Sequence, residues 1–208
     1  MKRYSILTFI IFLISCTATI NETVYVKDGE VRNKDITSIN GGIIIGNDCK
    51  VHGSCRAVNG EIRVGQKSVV SELQSVNGNI TVGPASTIRG DIEAVNGEIL
   101  TDPGVQVTGD VSSINGNIVL QNTIISNNLE TVNGDISLKD STIVEKNIFV
   151  KWKSKFSDDK RQVDIYIQNG SRVMGNIEVE DKKISVRVYV SSDSKILGDV
   201  IDAEIIYQ

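Results

Sequence analysis

The chain reads as an all-β fold, a single-stranded parallel β-helix (solenoid) of about 18–19 residues per coil. Three observations predict it. An Asn-Gly pair returns at a nearly fixed interval, apolar residues keep fixed distances from that pair, and the composition favours strand over helix.

The pair, always preceded by Ile or Val, starts at Asn40, Asn59, Asn77, Asn96, Asn115 and Asn133, so each coil takes 18 or 19 residues. Self-similarity at a fixed period marks a stacked-repeat architecture. Three residues after each Asn stand Ile43, Ile62, Ile80, Ile99, Ile118 and Ile136. Five after stand Ile45, Val64, Val82, Thr101, Leu120 and Leu138. Cys55, Leu73, Ile92, Val111 and Leu129 precede the last five Asn by four positions, and Val51, Val69, Ile88, Val107 and Ile125 by eight. Thr101 is the one hydroxyl among them. Positions three and five after Asn have period two, the mark of a strand with one inward face. A coil of this kind cannot bury its inner face alone, so stability must come from stacking on its neighbours.

So short a period leaves no room for a helix of ordinary size; three short faces per coil are expected, and a right-handed coil. The Asn-Gly pair suits a corner with positive φ at both residues. A second corner is expected at Gly53, Ser71, Gly90, Gly109 and Asn127. With strands about 4.8 Å apart, the six Asn-Gly coils would span roughly 25–30 Å.

The composition agrees. Aromatic residues are 5% of the chain while Val and Ile abound, a strand-forming bias. The net charge of −4 leaves no basic field, which excludes nucleic acid as a partner.

Both ends depart from the repeat. Lys2 and Arg3 precede an apolar stretch, Ile6 to Ile14, that ends Leu13-Ile14-Ser15-Cys16. The stretch falls short of the ~20 residues that cross a bilayer and suits a signal-peptide core. The ending resembles the lipobox of bacterial lipoproteins. That resemblance implies cleavage after Ser15, lipid attachment at Cys16 and anchoring in the cell envelope. Thr17 in place of a retention Asp points to the outer membrane. Residues 1–15 are then signal peptide, 16–30 the acylated Cys with a tether and first strand, and 31–150 the repeats. Residues 151–163 form a basic polar insertion, and 164–208 are wider C-terminal coils and a cap.

Each conspicuous polar group has a bland and a sharp reading. The six Asn fit a structural ladder of stacked side-chain amides. Gly42, Glu61, Asn79, Glu98, Asn117 and Asp135 should point outward, and their alternation spaces like charges; an oxygen-lined calcium site is the alternative. Asp91 and Asp110 fall on neighbouring coils, as paired carboxylates would in a glycan-cleaving enzyme. His52, the only histidine, should face solvent, and no nucleophile motif accompanies it. Cys49 and Cys55 read as buried thiols, with a disulfide as the alternative in an exported chain. Lys151, Trp152, Lys153, Lys155 and Phe156 form a candidate contact patch, since aromatic anchors among cations suit interfaces.

The segment Ile88-Arg89-Gly90-Asp91-Ile92, echoed at Val107–Val111 and Ile196–Val200, resembles the coil motif of bactofilins, the polymer-forming bacterial cytoskeletal proteins. From 36 to 208 the layout is similar to bacterial envelope proteins with tandem Val-Asn-Gly-x-Ile repeats. These resemblances imply a β-helix and self-association, with no known activity. The expectation is therefore a structural or interaction element of the envelope, not an enzyme, needing no cofactor and no metal. Its partners would be the membrane through the N-terminal lipid, a further copy of the chain, and envelope polysaccharide. A glycan-binding or glycan-processing β-helix is the alternative.

Overall fold

The computed structural model describes residues 17–151, 161–180 and 183–208. They form a parallel β-solenoid of about nine turns, without helices. Most coils pass through three short strands; in two coils the second and third merge, as Lys50–Ala57 and Val69–Ser75. Of the three, one belongs to a ten-stranded sheet that runs from Val24–Val26 to Glu204–Tyr207; the other two belong to a 17-stranded sheet. The register repeats the sequence columns: Ile99 pairs with Ile80 on one side and Ile118 on the other, and Ile92 with Leu73 and Val111.

One coil shows why. Between Ile80 and Ala94 the inward side chains are Ile80, Val82, Ser86, Ile88, Ile92 and Ala94, none more than 3% exposed. Alternation puts these inside and their neighbours outside. Thr101 is also buried, and shares a 2.6 Å hydrogen bond with the buried Thr123 hydroxyl.

The structure corrects three expectations. Val69 faces outward and Val70 takes the inward place, pairing with Val51. That coil is one residue shorter, and the register slips between Val51 and Ser54 to absorb the difference. Second, none of the six Asn-Gly pairs has positive φ. Most left-handed residues stand at a third corner that the sequence reading missed, among them Gly29, Asp48, Lys67, Ala85, Gly104, Asn122, Asp140 and Asn169; Asn21 and Asp202 are left-handed elsewhere. Third, the Gly of each pair is required for close approach. A Cβ on Gly97 would lie 2.6 Å from the carbonyl carbon of Gly78 and closer still to its oxygen. The first strand among the described residues is Thr17–Thr19, paired with Ile36–Ser38.

The widening toward the C terminus is as expected. The coil holding the insertion sets paired positions 29 residues apart, and the next coil 23.

Candidate functional site

The Asn-Gly corners build the longest polar feature. Each Asn Nδ2 donates to the Oδ1 of the Asn one coil earlier, at 2.6–2.9 Å, from Asn133 through Asn115, Asn96, Asn77 and Asn59 to Asn40. Two residues outside the repeat close the ends. Asn40 donates to Asn21 at 2.7 Å, and Arg161 donates to the Oδ1 of Asn133. Arg161 thus stands at the rung that follows Asn133. Inside the same corner the chain needs small residues, and has Ser38, Ala57, Ser75, Ala94, Ser113 and Thr131. The Gly116 N–H donates to Ser113 Oγ and the Gly134 N–H to Thr131 Oγ1, both at 3.1 Å.

A second polar column was read as a possible pair of catalytic carboxylates. In the structure Asp91 Oδ1 accepts the backbone N–H of Asp110 at 2.8 Å, and Asp110 Oδ1 accepts that of Asn128 at 2.9 Å. Asn147 and Asn176 accept from the next coil in the same way, at 2.8 and 3.0 Å. These side chains hold coil to coil. Asn79 and Asn117, in the outward column, do likewise for Glu98 and Asp135.

A third column, inside the left-handed corner, escaped the sequence reading. Ser68, Ser86, Thr123, Thr142 and Ser171 are fully buried. Ser86 Oγ accepts the Ser68 N–H at 3.1 Å and donates to the Gly65 carbonyl at 2.8 Å. Cys49 occupies the same column, with Sγ 3.0 Å from the Lys27 carbonyl. Cys55 stands in the apolar column, and both thiols are buried and not joined in a disulfide. Among the described residues no buried side-chain polar atom lacks a hydrogen-bond partner.

Acidic groups crowd one outer face. Burial, then the charges of Asp91 and Glu72, push the Glu93 carboxyl above its ordinary range. Burial also raises Glu130, against the pull of Lys151. Lys151 is the one member of the candidate contact patch among the described residues. Its ammonium lies 3.0 Å from Glu180, 3.6 Å from Glu130 and 4.4 Å from the centre of the Phe149 ring. Burial works against its charge, but the Glu180 hydrogen bond and Glu130 outweigh it and raise its pKa. Glu180 is the nearer of its two acidic partners, so the solenoid already engages this cation. Cys16, Trp152, Lys153, Lys155 and Phe156 lie outside the described residues. His52 is exposed, as expected.

The ten-stranded sheet carries an aromatic patch near its C-terminal end. Tyr166 and Tyr189 stack with centroids 4.9 Å apart and planes 9° from parallel. Beside them Arg187 makes hydrogen bonds of 2.9 and 2.8 Å to Asp164, which holds the Asp164 carboxyl below its ordinary range.

The last strand ends the core abruptly. Ile205 and Tyr207 continue columns in which Val188 and Val190 are 0% and 1% exposed, yet they are 38% and 78% exposed themselves. Among the described residues, no coil covers them. Among the described residues, no group of three or more His, Cys, Asp or Glu side chains is placed to hold a metal ion. No protein-family model, no curated protein and no solved structure matches the chain.

Proposed function

We propose that the chain is an envelope lipoprotein, held at the outer membrane by acylated Cys16, whose solenoid is a structural and self-associating element and not an enzyme. The observation that carries this reading is the uncovered last coil. Ile205 and Tyr207, in line with the core columns, are exposed, and among the described residues the strand Glu204–Tyr207 pairs on one side only. An open strand edge recruits another strand, and solenoids that stay single cover their ends with a polar cap. A further copy of the chain would cover this apolar end. End-to-end association is also what the resemblance to bactofilins implies. The polar columns fit the same reading, because their side chains are spent on neighbouring coils.

The test uses the full-length chain in detergent. Light scattering over a range of concentrations should show assembly, and Tyr207→Lys should abolish it with the circular dichroism unchanged. A wild-type chain that stays monomeric at high concentration overturns the association, as does assembly that Tyr207→Lys leaves intact. Cys16→Ser should release the folded chain from the membrane fraction; retention there would refute the lipid anchor.

One observation favours a second reading, the binding of envelope polysaccharide. Tyr166, Tyr189, Asp164 and Arg187 combine aromatic and charged groups on one sheet face, although they are largely engaged with one another. Retention on a polysaccharide matrix that Tyr189→Ala removes would support it.

A further inference from the structure

Asn-Gly is the dipeptide most prone to spontaneous rearrangement, because a Gly offers no Cβ to shield its backbone nitrogen. That nitrogen attacks the Asn Cγ, a C–N bond closes a succinimide ring, the Cγ–Nδ2 bond breaks, and ammonia leaves. Water then opens the ring to Asp or isoaspartate. This chain sets six such pairs in one column; five of the Asn are exposed and Asn133 is half-buried.

The geometry holds every one of the six amides at both ends. Each Nδ2 donates to the rung before and each Oδ1 accepts from the rung after. The terminal rungs are completed from outside the repeat. Asn21, followed by Glu22 and not by Gly, accepts from Asn40, and Arg161 donates to Asn133. We infer that the six Asn-Gly pairs are latent self-modification sites that stacking keeps unreacted, with Asn21 and Arg161 as the clamps that protect the terminal rungs.

The side chain must leave the ladder before its Cγ can meet the Gly nitrogen, and leaving breaks two hydrogen bonds. At the usual worth of such bonds, stacking slows the reaction roughly tenfold or more. Conversion is one-way. The new carboxylate has no donor to offer the Oδ1 of the rung before, so a converted rung weakens the stack that protected it.

The rungs differ in their nucleophile. The nitrogens of Gly116 and Gly134 are tied to Ser113 and Thr131. At Asn59 and Asn96 the corresponding residues are Ala57 and Ala94, which have no hydroxyl. Asn59 and Asn96 are therefore the first to convert when the ladder opens, and Asn115 and Asn133 the last.

The experiment incubates the full-length chain in detergent at mildly alkaline pH, folded and in denaturant. Mass spectrometry of peptides then measures Asp and isoaspartate at each rung. The folded chain should keep all six Asn while the denatured chain converts most of them. Arg161→Ala should raise conversion at Asn133 several-fold over the wild-type chain and leave Asn77 unchanged, and Asn21→Ala should do the same for Asn40. Circular dichroism confirms that each variant folds, and either variant alone suffices if the other does not. Equal rates in folded and denatured chains would overturn the inference. So would a folded clamp variant whose terminal rung converts no faster than in the wild type.

Discussion

Replacing Gly97 separates the two reasons a corner might need glycine. If the corner required a left-handed backbone, Gly97→Asn would cost little, since Asn tolerates that region. The structure says instead that the rungs touch. A Cβ at Gly97 would sit 2.6 Å from the Gly78 carbonyl carbon and 3.1 Å from the Asn79 nitrogen. The first distance is about 1 Å short of ordinary carbon–carbon contact. Parting the rungs by that much breaks three bonds: Val95 N–H to Ser75 O at 3.0 Å, Asn96 N–H to Val76 O at 2.8 Å, and the ladder bond from Asn96 to Asn77 at 2.8 Å. At about 1 kcal/mol each, Gly97→Ala and Gly97→Asn should both cost about 3 kcal/mol. A chain of this size converts that to a drop of roughly 6–12 °C in Tm. Asn96→Ala removes two ladder bonds at a wet corner and should cost less, about 1–2 kcal/mol. Urea midpoints of the four chains, followed by circular dichroism, measure the series. A cost under about 1 kcal/mol for Gly97→Ala would refute the close-approach argument, and a harmless Gly97→Asn would restore the left-handed corner.

Three further outcomes follow from other columns. Ala85 has φ of 56°, where Gly104 one coil later has 84°, so Ala85→Gly should stabilise by about 0.5–1 kcal/mol, read from the urea midpoint. Folding raises the pKa of Glu93, so its charged form costs stability above that pKa and nothing below the unfolded value. Glu93→Gln should therefore stabilise at pH 7 by roughly 0.2–1 kcal/mol, a gain that fades as pH falls into the ordinary carboxylate range; a gain that persists in acid would refute the cause. Cys49→Ser, in the hydroxyl column, should be nearly neutral, while Cys55→Ser, among Ile36 and Leu73, should cost about 1–2 kcal/mol.

The columns were legible because a stacked coil repeats its environment, so Ile43 to Ile136 report one place in space six times. The ladder was legible for the same reason. What stayed hidden lies where the repeat slips. The buried hydroxyls of Ser68 and Ser86 stand nine and ten residues before Asn77 and Asn96, and the one-residue shift blurs the column. Val69 misled for that reason, since two adjacent valines offer both phases of the alternation. The cause of each Gly could not be read at all, because its obstacle is a backbone in another coil. Arg161 lay within an insertion whose length no local rule sets.

The nearly even coil has a consequence for how this rod acquires its height. Ten strands stacked about 4.8 Å apart set the axial length at about 43 Å. Removing residues 78–96 would join Asn77 to Gly97, keep every column in phase, and spare both ends. The rod is then a ruler with whole-coil graduations: the gene can shorten or extend it in steps of about 4.8 Å, and whatever stands at its far tip moves by one graduation each time.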